Sequence, residues 1–213
     1  MSEQITWSVV IPVRGGAGKT RLEVPGVDRA PLARAIARDT IAAARACDRV
    51  AEVIVVTGDA ELARDLSGSV TIVTDPGRGL NAAVAAGADR ARSAFRAALL
   101  GDLPALDPRD LSRALEAATG HERGVVADTE GTGTTLLTSR RQGRFDSAFG
   151  DGSFARHVAR GHVSLTGVET LHRDVDTVDQ LRDAARRGMG AHTSALLARV
   201  WPREGQGASS SVA

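Results

Sequence analysis

The strongest constraint in this sequence is an alternation of short β-branched runs with alanine-rich stretches of helical spacing. The runs "SVVIPV", "EVIVVT", "VTIVT" and "RAALL" read as strands, and the segments near 30–46, 59–66, 80–96 and 108–118 read as helices. Strand and helix in alternation build crossover units, and these close around a mostly parallel central sheet flanked by helices, an α/β fold. Beyond them, "GVVADT" and "TTLLTS" suit a hairpin, followed by a helix near 153–160, a strand at "HRDVD" and helices near 177–187 and 190–199. No internal repeat interrupts this order, so residues 1–200 read as a single domain. Residues 201–213, ending "REGQGASSSVA", are small and polar enough to be a disordered tail.

Composition removes several classes of function. In 213 residues, 42% hydrophobic content supplies ample core, while a formal charge of +1 gives no general attraction to nucleic acid or membranes. Aromatic residues make up 3% and tyrosine is absent, which disfavours base-stacking surfaces. The lone Cys47 excludes an internal disulfide and a cysteine-based zinc site. "MSEQITWSVV" lacks a basic segment leading into an apolar run, and no stretch approaches the roughly 18 apolar residues of a membrane span. The expectation is a soluble, cytoplasmic protein whose partners are small molecules.

In parallel sheets ligands gather outside the carboxyl ends of the strands, so the loops that follow strands carry the functional signal. The first, in "WSVVIPVRGGAGKTRL", resembles a Walker A loop but has Val13 where that motif needs its first glycine. Pro25, Gly26 and Pro31 also follow too closely for a helix to propagate from Thr20. What remains is a glycine loop, with Gly15 and Gly16, bearing Arg14, Lys19 and Arg21 as positive charge for a polyphosphate. A plain glycine turn with solvated basic residues explains the spacing equally well.

Three further loops stand out. "LLGDLPALDP" delivers Asp102 at a strand end, stiffened by Pro104, with Asp107 or a neighbour capping the next helix. A carboxylate there suits Mg²⁺, although a turn aspartate bonded to its own backbone is the plainer alternative. In "HRDVDTVDQL" a strand would point Asp174 and Asp176 to one face, where their charges repel unless a cation lies between them. Capping of the following helix by Asp176 or Thr177 is compatible with that and leaves Asp174 unexplained. In "VADTEGTGTTLL" and "FGDGSFARH", Gly131 and Gly133 open amides beside Thr134, and Ser153 stands where a helix cap would present amides to an anion. A hairpin turn and a simple cap explain each segment taken alone. His157 reads as a packed or surface histidine, not a catalyst.

Taken together, "GLNAAVAAG", "GDLPAL", "VADTEGTGTTLL", "FGDGSFARH" and "DVDT" resemble, in order and approximate spacing, the 2-phospho-L-lactate/phosphoenolpyruvate guanylyltransferases of coenzyme F-420 biosynthesis. The resemblance runs to about Val200, and the opening "RGGAGKTRL" is shorter than the family's usual loop. It implies a GT-A-like (Rossmann-like) nucleotidyltransferase fold that transfers GMP from GTP to a phosphorylated three-carbon acid. The implied ligands of Mg²⁺ are Asp102, Asp174 and Asp176. Those of the acid are Thr134, Gly150 and Ser153, and those of the nucleotide are Arg14, Gly15, Gly16, Lys19 and Asn81. Lys19, Arg21 and Asp102 would act at the reacting phosphate. Phosphoenolpyruvate is the acceptor favoured by the bacterial character of these motifs, and functional coupling to the next enzyme of the pathway is implied as well. Two alternatives stay open: transfer to another acceptor, such as 3-phospho-D-glycerate, molybdopterin or a sugar phosphate, and a nucleotide-binding module without turnover. Two anions reacting by in-line displacement need charge neutralisation and positioning more than a nucleophile, and no Ser–His–Asp or Cys–His set is evident.

Overall fold

The structure is a computed structural model that describes residues 5–14, 22–140, 143–198 and 200–201. Its elements run β1 (Trp7–Val13), α1 (Arg29–Ala46), β2 (Val50–Thr57), α2 (Ala60–Asp65), β3 (Thr71–Thr74), α3 (Leu80–Ala88) and β4 (Arg96–Leu99). They continue with α4 (Pro108–Ala118), β5 (Arg123–Ala127), β6 (Thr134–Ser139), α5 (Ser153–Ala159), β7 (Val163–Ser164), a 3-10 turn at Glu169–His172, α6 (Val178–Arg187) and α7 (Ala191–Leu197). The strands form one sheet in the order β3-β2-β1-β4-β6-β5-β7. Among the described residues β6 alone runs against the others.

Every residue of β1 is buried, because helices cover both faces of the sheet at its centre. Trp7, Val9, Ile11 and Val13 alternate onto the face packed by Ala37 and Ile41 of α1 and Leu111 and Leu115 of α4. Val10 points the other way, into a cluster with Val84 and Ala88 of α3 and with Phe145 and Phe149. The small residues of "GLNAAVAAG" let α3 lie close on this face. A Cβ on Gly87 would stand 2.4 Å from Val10 Cγ1 and 2.8 Å from Val56 Cγ2, well inside van der Waals contact. A third cluster joins Leu32 and Ile36 of α1 to Val175, Leu181 and Leu197, docking the C-terminal helices onto α1.

Several expected elements are shorter or absent. Helix α3 ends at Ala88, not near 96: Asp89, Arg90 and Ala91 close its last turn, and the residues after them bond toward the sheet. The Arg92 amide donates to Glu52 Oε2, the Ser93 amide to Ser8 Oγ, and the Ser93 hydroxyl to the Thr6 carbonyl. "HRDVD" is no strand: His172 closes the 3-10 turn, and Arg173–Asp176 are irregular until Thr177 and Gln180 form a capping box on α6. "TTLLTS" and "GVVADT" do pair as an antiparallel hairpin. Trp201, at the head of the expected tail, packs with the third cluster beneath the Arg182 guanidinium, 5.8 Å from its ring centre. Residues 202–213 lie outside the described residues. Among the described residues no helix is long and apolar enough to cross a membrane.

Candidate active site

The sheet changes direction at β1. From it the chain moves outward through β2 and β3, then returns to place β4 on the other side, parallel to β1. Such a switch point leaves a crevice at the carboxyl ends of the two strands. Arg14 follows β1 directly and is exposed there, while Gly15, Gly16, Lys19, Thr20 and Arg21 lie outside the described residues.

Asp102 follows β4 in a tightly held turn. The Leu103 N–H donates to the Thr40 hydroxyl at 3.0 Å, and that hydroxyl donates in turn to the Ile36 carbonyl at 3.2 Å, so α1 fixes the peptide on one side of Asp102. The Asp102 carbonyl accepts from Val175 N–H at 3.0 Å, which ties the acidic segment 174–176 to the same turn. The Pro104 carbonyl accepts from Gly190 N–H at 2.8 Å. Asp39 of α1 then takes the His192 and Thr193 amides at 2.9 and 2.8 Å, anchoring α7 beside it.

Val175 is buried in the third cluster, and its neighbours Asp174, partly buried, and Asp176, exposed, flank it. Gln180 holds this segment by accepting the Asp176 and Thr177 amides at 2.8 and 2.9 Å while its Nε2 donates to Glu130 at 3.3 Å. Thr177, not Asp176, caps α6. The segment is also pinned to β5, since His172 Nδ1 bonds the Ala127 carbonyl at 2.8 Å and the Thr129 hydroxyl donates to the His172 carbonyl at 2.7 Å. One backbone bond, from Val175 N–H to the Asp102 carbonyl, thus joins the two distant loops that carry Asp102 and Asp174. Among the described residues no group of three or more His, Cys, Asp or Glu side chains is placed to hold a metal ion. The three aspartates therefore do not make a ready-built three-carboxylate cage. Mg²⁺ bound here would rely on one or two carboxylates together with substrate phosphates, which is its usual mode.

Antiparallel pairing brings the other half of the site to the same end of the sheet. Leu100 N–H bonds the Thr135 carbonyl at 2.9 Å, so Thr134 at the start of β6 stands beside the turn that carries Asp102. The loop into β6 is closed by Asp128, whose carboxylate accepts the Thr132 and Gly133 amides at 2.9 and 2.8 Å. Phe154 N–H bonds the Thr132 carbonyl and Ser153 N–H bonds the Gly150 carbonyl, each at 3.0 Å, which places α5 and its preceding glycines against the same loop. Thr134, Gly150 and Ser153 are therefore gathered, as the motifs imply. Helix α5, however, begins at Ser153 with Gly152 as its cap, and Ser153 makes no side-chain cap. Its hydroxyl donates instead to Thr134 Oγ1 at 3.1 Å, and both residues are buried.

His157 lies at the centre of this arrangement, fully buried, with Nδ1 3.0 Å from Thr134 Oγ1 and Nε2 accepting the Ala148 N–H at 2.9 Å. Burial lowers its pKa to about 4, helped by His162, Arg160 and Arg156 and opposed by Asp146. The ring is neutral at physiological pH. Asn81, an exposed residue of α3, bonds the peptide of Phe149 twice: its Oδ1 accepts the Phe149 N–H at 2.8 Å and its Nδ2 donates to the Phe149 carbonyl at 3.1 Å. The sequence offers no periodic signal for Thr40 or His157, since each acts on a segment far away in the chain, whereas Gln180 stands in the local Thr-x-x-Gln pattern of a capping box.

Residues 7–200 match the family described as "Guanylyl transferase CofC like". The chain belongs to this family. Among its relatives, a phosphoenolpyruvate guanylyltransferase of Thermomonospora curvata is 48% identical over 207 residues, covering 92% of this chain and 91% of its own. One of Streptomyces coelicolor is 45% identical over 205 residues, covering 91% and 97%. A nucleotidyl transferase from Methanothermobacter shares the fold with a TM-score of 0.59 at 21% identity, over 85% of this chain and 97% of its own. For this member of the family, the GT-A-like sheet and the guanylyltransferase motifs agree.

Proposed function

We propose that the chain transfers GMP from GTP to phosphoenolpyruvate, releasing pyrophosphate and forming enolpyruvyl-diphospho-guanosine for coenzyme F-420 biosynthesis, in functional coupling with the next enzyme of that pathway. The observation that carries this reading is the 48% identity, over nine-tenths of both chains, to a relative bearing that activity in its name. The arrangement of residues supports it.

In the reaction a phosphate oxygen of the acceptor attacks the α-phosphorus of GTP, and the bond to the bridging oxygen breaks as pyrophosphate leaves. The attacking oxygen is already anionic, so no side chain must remove a proton. The difficulty is bringing two anions together. Arg14, Lys19 and Arg21 lie in the same sequence stretch as Gly15 and Gly16 and would neutralise the triphosphate, with those glycines allowing close approach of the backbone. Asp102, Asp174 and Asp176 offer hard oxygen donors on two loops joined by the Val175–Asp102 backbone bond, and one or two of them would hold Mg²⁺. Bound Mg²⁺ would supply charge neutralisation at the phosphates of both substrates. Thr134, Gly150 and Ser153 would seat the acceptor across the crevice from the nucleotide, in line with the scissile bond.

The test is an acceptor panel of phosphoenolpyruvate, 2-phospho-L-lactate and 3-phospho-D-glycerate with GTP and Mg²⁺, read by pyrophosphate release and mass spectrometry of the product. Phosphoenolpyruvate should be used best, with GTP preferred to ATP and CTP and with chelator abolishing turnover. Preference for another acceptor, or turnover unaffected by chelator, would overturn the corresponding part of the proposal.

A further inference from the structure

The peptide just before Gly150 belongs to no helix or strand, yet side chains hold all four of its polar backbone atoms. Ala148 N–H donates to His157 Nε2 at 2.9 Å, and its carbonyl accepts from Arg156 Nε and Nη2 at 3.2 and 3.0 Å. Phe149 N–H donates to Asn81 Oδ1 at 2.8 Å, and its carbonyl accepts from Asn81 Nδ2 at 3.1 Å. Loop peptides are ordinarily left to water. Here two helices, α3 and α5, grip one dipeptide, and Gly150 departs from it with φ 125°.

His157 extends this grip to β6. An amide N–H can only donate, so Nε2 carries the lone pair and the neutral ring bears its proton on Nδ1. That proton goes to Thr134 Oγ1, which also accepts from the Ser153 hydroxyl. Two lone pairs are then engaged, and the Thr134 hydroxyl retains only its own proton to donate. One imidazole thereby joins the Ala148 peptide, the strand residue Thr134 and, through it, Ser153.

We propose that His157, together with Asn81, is a positioning residue for the acceptor: the two side chains lock Ala148–Phe149 and the Thr134–Ser153 pair into one rigid ledge that presents Gly150 to the phosphorylated acid. This rests on the placement of the acceptor at Thr134, Gly150 and Ser153 proposed above. His157 is fully buried and acts through its neighbours, not on the reacting atoms.

The experiment uses the full-length chain and compares wild type with His157→Phe, His157→Asn and Asn81→Asp, measuring KM for GTP and phosphoenolpyruvate separately and hydrogen exchange over 148–153. His157→Phe keeps a ring and removes both nitrogens, and Asn81→Asp keeps the acceptor for Phe149 N–H but loses the donor. Both should raise the acceptor KM and speed exchange in the segment, and His157→Phe, which strands buried groups, should raise it about tenfold or more with the GTP KM within about twofold. His157→Asn, which keeps an N–H near the Nδ1 position, should recover part of the loss. A merely structural role would lower stability without splitting the two KM values, and that result, or an equal or larger rise for GTP, overturns the proposal. If His157→Phe does not fold, His157→Asn decides it by the same split. Should phosphoenolpyruvate not be the acceptor, the proposed function fails separately and the split is read with whichever acid of the panel is turned over.

Discussion

The hydroxyl of Thr40, in the middle of helix α1, accepts the N–H of Leu103 at 3.0 Å and thereby holds the peptide that follows Asp102. The helix and the loop are 63 residues apart in the chain. Thr40 is fully buried and also donates to the Ile36 carbonyl, so water cannot replace it.

Thr40→Val keeps the shape and leaves the Leu103 amide without its acceptor. The expected cost is about 1–3 kcal/mol of stability, as for other unsatisfied buried donors, together with a fall in kcat larger than any rise in either KM. Urea unfolding and steady-state kinetics check both. Unchanged kcat in the folded variant would show that α1 does not set the position of Asp102.

Asp102→Asn should abolish turnover while the chain still folds, because it removes a charge at the end of a strand and no apolar contact. Loss of activity with an unfolding midpoint close to wild type is the expected pair of results. An active Asp102→Asn enzyme removes this residue from the proposed chemistry.

Stability should depend on pH through His157. In the folded chain its pKa is about 4, against 6.5 ordinarily, so it is depressed. Above 6.5 the ring is neutral in both states and its contribution is complete. Between 6.5 and 4 the unfolded chain binds the proton and the folded chain does not, so stability is lost as pH falls, on the order of 3 kcal/mol over the window. His162 is depressed as well, chiefly by burial, and adds to the same trend. Urea midpoints at pH 7 and pH 5 should show a shallower decline for His157→Phe than for wild type, and equal declines would refute the assignment.

Lys19 and Thr20 lie outside the described residues, and their roles are separable by activity. Lys19→Ala should weaken use of GTP by roughly 2 kcal/mol or more, as expected for a desolvated charged hydrogen bond. Thr20→Ala should matter much less, because Pro25, Gly26 and Pro31 follow too closely in the sequence for the helix that a P-loop threonine requires. Equal damage from the two substitutions would reopen that reading.

Much of the fold was legible because its signals are local. Short β-branched apolar runs such as "SVVIPV" and the alanine-rich face of α1 state how each segment must bury itself, and the order of strands and helices then implies a mostly parallel sheet. The ordered motifs around Asp102, Thr134, Ser153 and Asp174 likewise carried the family. Where the reading went astray, a distant partner outweighed the local pattern. Residues 92–95 have helical composition but bond to Thr6, Ser8 and Glu52, and "HRDVD" has a strand's alternation but finds Asp102 and Gln180 in place of a neighbouring strand. The same holds for the residues that support the site. That Thr40 holds the turn of Asp102, that Asn81 grips Phe149, and that His157 is a neutral donor to Thr134 are consequences of contacts between segments 23 to 68 residues apart. Such bonds have no periodicity. They exist only once packing has excluded water and left each buried polar group to find its partner within the protein.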